Sequence, residues 1–256
     1  DIRKLRRKLT FKVIEDIIID IEKKLYDSIF ISTQKPKISL EELKNKLNFI
    51  NETLITSHNS IYTDEIEQII NKVNIFGYHF ASLDIRQDSR IHSNIFDSIF
   101  TSGYLKFSLK QRESLLNKIF KNTFTLNNQS KTLSSTLKSI SAMKSIQSHN
   151  GEKGCYRYII SNTQSSNNIL EVLALVNLSG WKSPSVDIVP LFETIPDLKI
   201  CSEIMEKMYN NPYYMSHLQE RNYEQTIMLG FSDGTKDGGY LTANWSILKA
   251  KESLTK

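Results

Sequence analysis

The chain has 256 residues, of which 39% are hydrophobic, 10% aromatic and 24% charged, enough apolar material for one sizeable core or a core with a helical extension. No apolar run approaches the ~20 residues that span a bilayer, and the opening DIRKLRRKLTFK lacks the apolar block and cleavage site of a secretory signal, so no membrane association is expected. The net charge of +5 lies partly in Arg3, Lys4, Arg6, Arg7, Lys8 and Lys12, but no aromatics alternate with these bases and acids follow at once in VIEDIIIDIE, which disfavours a nucleic-acid arm.

In chain order, Ile2, Leu5, Leu9, Val13 and Ile17 repeat at helical spacing, and the pattern predicts a helix from Ile2 to about Ile29 with the bases on its solvated face. After the polar break STQKPK, Ser39 followed by Glu42 reads as a capping box that opens a second helix through about Glu52. A third helix is expected over Thr63–Val73, with Asp64 and Glu65 in the first turn, where the helix dipole favours acids.

From Asn74 the texture changes to short β-rich runs separated by helical stretches. The runs are Gly77–Ile85, Tyr156–Ile160, Val186–Phe192 and Gln225–Gly230; helices fall around Ile91–Thr101, Lys110–Phe120 and Ser135–Gln147, and residues 125–135 read as a polar loop or helix entry. Strands separated by helices imply parallel pairing. The expected organisation is a helical region over residues 1–73 and a mostly helical α/β region over 74–256, a partial TIM-type (β/α)8 barrel of about four parallel strands with inserted helices.

Polar residues close each β-rich run: Asp84, Arg86 and Gln87; then Ser161, Asn162 and Thr163; then Glu193 and Thr194; then Ser232 and Asp233. In parallel α/β architectures, active sites gather at the carboxyl ends of strands. Glu193 and Asp233 follow the apolar segments VDIVPLF and IMLGFS, so both are expected to be buried, where a carboxylate needs a cation or hydrogen-bond donors. Meeting at one strand end, they suit Mg2+ or Mn2+, which take oxygen ligands; equally, each could cap the next helix, and spacing leaves both readings open. Arg86 is a candidate for a bidentate phosphate or carboxylate contact. Lys236 offers a point charge for an anion in FSDGTKDGGYLTANW, whose glycines admit a ligand close to the backbone. His58, His79, His92, His149 and His217 show no metal-ligand spacing; His79 is placed inside the first strand, and His92, one turn past Arg86, is read as structural. Cys155 and Cys201 are unrelated in position, consistent with two buried thiols in a reducing cytoplasm.

Four segments together resemble phosphoenolpyruvate carboxylases over about residues 70–250: FGYHFASLDIRQDSRIH, YIISNTQSSNNILEVLAL, VDIVPLFETIPDL and MLGFSDGTKDGGYLTANWSILKA. The resemblance implies a catalytic TIM-type barrel, a divalent metal on Glu193 and Asp233, and substrate contacts from Arg86 and Lys236. It implies carboxylation of phosphoenolpyruvate by bicarbonate, through carboxyphosphate and an enolate, to oxaloacetate and phosphate. For the longer parent it implies a cytoplasmic homotetramer. The family's upstream His-Pro motif and downstream FHGRGG loop have no counterpart here, Gly234 stands where Ser is common, and Asn167-Asn168 where Ser-Asp is commoner. With no initial Met, the chain reads as an internal piece of the enzyme that is itself inactive, the alternative being a non-catalytic half-barrel interaction or scaffold domain.

Overall fold

A computed structural model describes residues 2, 11–31, 36–100, 103–121 and 131–255. The basic residues Arg3, Lys4, Arg6, Arg7 and Lys8 and most of the polar loop predicted at 125–135 lie outside the described residues. The chain is mostly helical with a four-stranded parallel sheet, and it divides into two units: residues 1–82 with 145–154, and residues 83–144 with 155–256.

The first unit is built on three helices, α1 (Lys12–Phe30), α2 (Leu40–Ser57) and α3 (Thr63–Phe76). Leu43, Leu47, Ile50 and Leu54 recur every three or four residues, so α2 presents one apolar stripe, which packs with Ile14, Ile21 and Ile66. Ser39 caps α2 as expected, its Oγ accepting from the Glu42 N–H at 3.0 Å. The predicted box is only half formed, because the Glu42 carboxylate turns instead to Lys24 on α1, 2.7 Å away. Lys46 and Asp20 make a second α1–α2 link at 2.6 Å.

The second unit holds β1 (Asp84–Asp88), α4 (Ser89–Phe100), α5 (Leu109–Phe120), most of α6 (Lys131–Asn150), β2 (Arg157–Ser161), α7 (Ser166–Leu178), β3 (Asp187–Phe192), α8 (Ile195–Tyr209), α9 (Pro212–Glu220), β4 (Met228–Leu229) and α10 (Ser232–Leu254). The strands lie in the order β1-β2-β3-β4 and all pair in parallel. Local chemistry starts the helices that follow the strands. Ser165 with Asn168 and Thr194 with Asp197 form capping boxes, and Pro196 sits in the first turn of α8. Every residue of α7 from Asn167 to Val176 is buried. Among them Glu171 accepts from Ser93 Oγ and from Tyr104 Oη, at 2.9 Å at closest in each case. Among the described residues, no helix is long and apolar enough to cross a membrane.

Strands occur at all four predicted places, but the first is shifted and the last is shortened. The first begins at Asp84 rather than Gly77. Residues 77–82 form a turn in which the Phe80 N–H returns to the Phe76 carbonyl at 2.8 Å and Phe80 has φ 57°, a left-handed conformation that no strand accommodates. His79 therefore lies in this turn and not in a strand. At the other end only Met228 and Leu229 pair with β3, at Leu191 and Phe192, so the strand predicted over Gln225–Gly230 shrinks to two residues.

Candidate active site

Side chains alternate between the faces of a strand. In this sheet Arg86, Ile159 and Val189 are lateral partners on β1, β2 and β3. Along β3 the same face continues through Leu191 to Glu193, one residue beyond the strand. Ile159, Val189 and Leu191 form a small buried apolar cluster, so Arg86 and Glu193 stand at the carboxyl-end margin of an otherwise apolar face. They meet there, Arg86 Nη2 donating to Glu193 Oε1 at 2.6 Å. The Glu193 side chain is 16% exposed and that of Arg86 53%, so the pair is rooted in the protein at its acid and open to solvent at its base. Glu193 Oε2 accepts from the Asn162 N–H at 3.1 Å. Asn162 has φ 55°, and its carbonyl accepts from Ser89 Oγ at 2.6 Å, which fixes the turn that aims the amide.

The other two predicted residues lie at the start of α10. Lys236 Nζ donates to Asp233 Oδ1 at 2.9 Å, and both side chains are exposed. Burial of Asp233, expected from the apolar run before it, does not occur. The two-residue β4 leaves Met228 and Phe231 38% and 48% exposed, so nothing apolar closes over this turn. The start of α10 is nevertheless held tightly against Glu193: the Gly230 N–H donates to the Phe192 carbonyl at 2.7 Å, and a Cβ at Gly230 would lie 2.9 Å from Glu193 Cα. Asp237 adds a further tie, its Oδ2 accepting from the Ile195 N–H at 3.1 Å. The four predicted residues thus form two ion pairs, Arg86–Glu193 and Lys236–Asp233, at the carboxyl ends of parallel strands.

Among the described residues, no group of three or more His, Cys, Asp or Glu side chains is placed to hold a metal ion. The donors present are the two carboxylates, hard oxygens of the kind that Mg2+ or Mn2+ accepts while keeping waters or substrate oxygens at its other positions. The donor chemistry fits such an ion, provided that Arg86 and Lys236 release the carboxylates they now hold.

The opposite face of the sheet is structural. Gln87 and Tyr158, next in the chain to Arg86 and Ile159 and so on the other face, meet His92: Gln87 Oε1 accepts from Tyr158 Oη at 2.8 Å, and His92 Nε2 lies 3.0 Å from both groups. Gln87 also reaches Thr136 on α6 at 3.2 Å. Burial pushes His92 down to about 4, so the ring is neutral at physiological pH. Its place in this network supports a structural role. Asp88, closing β1, is gripped by Arg90 through two contacts of 2.9 and 2.7 Å, which hold its carboxyl below the usual range.

Two residues that shape this region were not singled out from the sequence, Asp237 as a cap for α8 and Gly230 as a point of close approach, and Asn162, expected only as a polar strand-end residue, acts through its backbone amide. Gly230 immediately precedes the glycine-rich segment and Asp237 lies within it, where two acids and a lysine near successive glycines were the available signal. The left-handed turn at Asn162 had none beyond its residue type.

A family model described as phosphoenolpyruvate carboxylase matches residues 5–256. The phosphoenolpyruvate carboxylase of Nitrosomonas eutropha is 31% identical over 242 residues, covering 88% of this chain and 26% of the relative. That of Ralstonia nicotianae is 30% identical over 236 residues, covering 84% and 24%. That of Prochlorococcus marinus strain MIT 9301 is 31% identical over 236 residues, again covering 84% and 24%. The chain spans about a quarter of the length of these curated relatives.

Proposed function

The chain belongs to the phosphoenolpyruvate carboxylase family, and from that premise we propose that it carries part of the site at which bicarbonate carboxylates phosphoenolpyruvate to oxaloacetate, with release of phosphate. The observation that carries the reading is the 2.6 Å pair between Arg86 and Glu193 at the carboxyl end of a parallel sheet, beside the glycine-rich start of α10. In this reading the four strands are one part of a TIM-type barrel whose remaining strands come from elsewhere in a longer protein, as the relatives' length suggests.

Glu193 and Asp233 would hold Mg2+ or Mn2+, which supplies Lewis acidity toward oxygens that gain negative charge. Arg86 would leave Glu193 to grip the phosphate or carboxylate of phosphoenolpyruvate with its planar fork, and Lys236 would leave Asp233 to hold bicarbonate or the departing phosphate as a point charge. The exchange costs little, because both bases already face solvent, where an ion pair contributes little. The Asn162 amide keeps Glu193 oriented while its other oxygen changes partner. The buried thiols Cys155 and Cys201, neither of them in a disulfide, support a reducing cytoplasm for the parent, and the family reading carries the expectation of a homotetramer.

The test is a titration with Mn2+ followed by electron paramagnetic resonance, on the chain and on Glu193→Gln and Asp233→Asn variants. Saturable binding lost in both variants, with a spectrum that phosphoenolpyruvate perturbs in the parent but not in Arg86→Ala, is the expected result. Binding that survives both carboxylate changes in folded protein would remove these residues from the site.

A further inference from the structure

The Asp237 carboxylate accepts from the Ile195 N–H at 3.1 Å, a bond that takes no part in the exchange of partners at Arg86 and Lys236. Asp237 lies one helical turn beyond Asp233 on α10, and Ile195 lies two residues beyond Glu193 at the start of α8. Before both acids comes a second tie. The Gly230 N–H, three residues ahead of Asp233, donates at 2.7 Å to the carbonyl of Phe192, directly ahead of Glu193. Each of the two carboxylates is therefore bracketed by bonds that join the same two segments.

With the Gly230 bond alone, the start of α10 could pivot about one point; the Asp237 bond removes that freedom. Packing between the two ties is close: a Cβ at Gly234 would lie 3.5 Å from the Glu193 carbonyl oxygen, and one at Gly238 would lie 3.0 Å from Ile195 Cγ1. Directly after Asp237 and Gly238, the non-helical Gly239 kinks α10, so the rest of the helix does not continue these first turns as one straight rod. The start of α8 does not depend on Asp237, because Thr194 and Asp197 already form its capping box. The Ile195 N–H belongs to the first turn, which has no intrahelical acceptor, and is thereby available to bind the two segments together.

We infer that Asp237 is a positioning residue: it fixes the spacing of Glu193 and Asp233, and through that spacing the preference of the pair for Mg2+ over Ca2+. The inference rests on the reading of Glu193 and Asp233 as metal ligands. Groups that orient ligands without touching the ion contribute about 10–100-fold to affinity. Mg2+ demands near-octahedral geometry, whereas Ca2+ accepts a flexible ligand arrangement. Loosening the clamp therefore penalises the smaller ion more.

The experiment is a Mn2+ titration of the 256-residue chain followed by electron paramagnetic resonance, with Mg2+ and Ca2+ as competitors. Asp237→Ala should weaken Mn2+ and Mg2+ about 10-fold and Ca2+ clearly less, and exchange of the Ile195 amide with solvent deuterium should accelerate. Asp237→Asn, whose amide oxygen still accepts from that N–H, should stay within about 3-fold of the parent. Asp237→Glu keeps the charge but changes the reach, and should weaken Mn2+ at least about 3-fold; it decides the matter if the alanine variant does not fold. Affinity unchanged in Asp237→Ala or Asp237→Glu, or equal losses of Mg2+ and Ca2+, would overturn the inference. So would an Asp237→Asn variant as weak as Asp237→Ala, which would make the charge of Asp237, and not its bond to Ile195, the operative feature. A parent that binds no Mn2+ overturns the metal reading and this inference together. Parent binding that is lost in Glu193→Gln but intact in Asp237→Ala overturns this inference alone.

Discussion

Arg86 and Glu193 lie 107 residues apart in the sequence and 2.6 Å apart in space, joined across the intervening strand β2. The contact depends on register: Arg86 faces Ile159 and Val189 laterally, and Glu193 follows two pleats beyond Val189 on the same face. A slip of one residue in either strand would send one partner to the opposite face, where Gln87, Tyr158 and His92 now meet.

Replacing Glu193 with Gln keeps the shape and removes the charge that Arg86 holds. Because Arg86 is largely solvated, loss of the pair should change stability by less than about 1 kcal/mol, read from urea unfolding. The Mn2+ affinity of the variant should fall by at least 10-fold, since a neutral amide replaces one of the two anionic ligands proposed for the ion. A large stability loss with unchanged metal affinity would show that Glu193 is only a structural clamp.

Gly230 and Gly239 should respond differently to alanine. At Gly230 a Cβ would lie 2.9 Å from Glu193 Cα and 3.3 Å from the Phe192 carbonyl oxygen, both backbone atoms, so β4 must move away from β3. The expected cost is about 1–3 kcal/mol, accompanied by weaker Mn2+ binding. At Gly239 nothing lies within 4 Å, but φ is +77°, at the kink inside α10. Alanine there should cost about 1–2 kcal/mol through backbone strain alone. Equal effects of the two changes on Mn2+ binding would contradict the close contact seen at Gly230.

On α10, Leu241, Trp245 and Leu248 repeat at helical spacing and are 81%, 60% and 46% exposed, an apolar stripe that faces water. Patches of this kind promote association. Sedimentation velocity should show concentration-dependent self-association of the chain, and Leu241→Glu with Trp245→Glu should shift it toward monomer. A monodisperse parent that binds no apolar dye would be the contrary outcome.

Much of the fold was legible because it is written in local patterns. The stripe Leu43, Leu47, Ile50, Leu54 and the cap at Ser39 place α2 unambiguously, and apolar runs separated by helices dictate parallel strands. What was not legible depends on long-range geometry. Glu42 has the residue type of a box partner but is captured by Lys24, whose approach no local pattern announces. Residues 77–82 have strand-like composition, yet they are spent on a turn that Phe80 enters at positive φ. At the candidate site the residue types were legible and their pairing was not: nothing in the spacing says that Arg86 meets Glu193 rather than Asp233. The exposure of Asp233 was hidden too, since an apolar run implies burial only where another element covers it.

The pH dependence of stability should contain two opposed contributions. Burial raises Glu171 from 4.5 to about 7, despite the donors Ser93 and Tyr104. A carboxyl whose folded value exceeds its unfolded value stabilises fully below about 4.5 and loses that contribution as pH rises through about 7. Burial lowers His92 from 6.5 to about 4, so its contribution is complete above about 6.5 and is lost as pH falls through about 4. Each displacement is worth about 3 kcal/mol, and between pH 4.5 and 6.5 the two slopes run in opposite directions and largely cancel. His217, also lowered by burial, adds to the His92 side. The parent should therefore show a shallow profile in that window when urea unfolding is followed by circular dichroism. Glu171→Gln should expose the histidine slope, with stability rising from pH 4.5 to 6.5, and at pH 8 it should exceed the parent by up to about 3 kcal/mol, since no buried carboxylate must then ionise. His92→Gln should expose the opposite slope, with stability falling over the same window. Profiles for both variants that run parallel to the parent's would show that neither group titrates differently in the folded and unfolded chains.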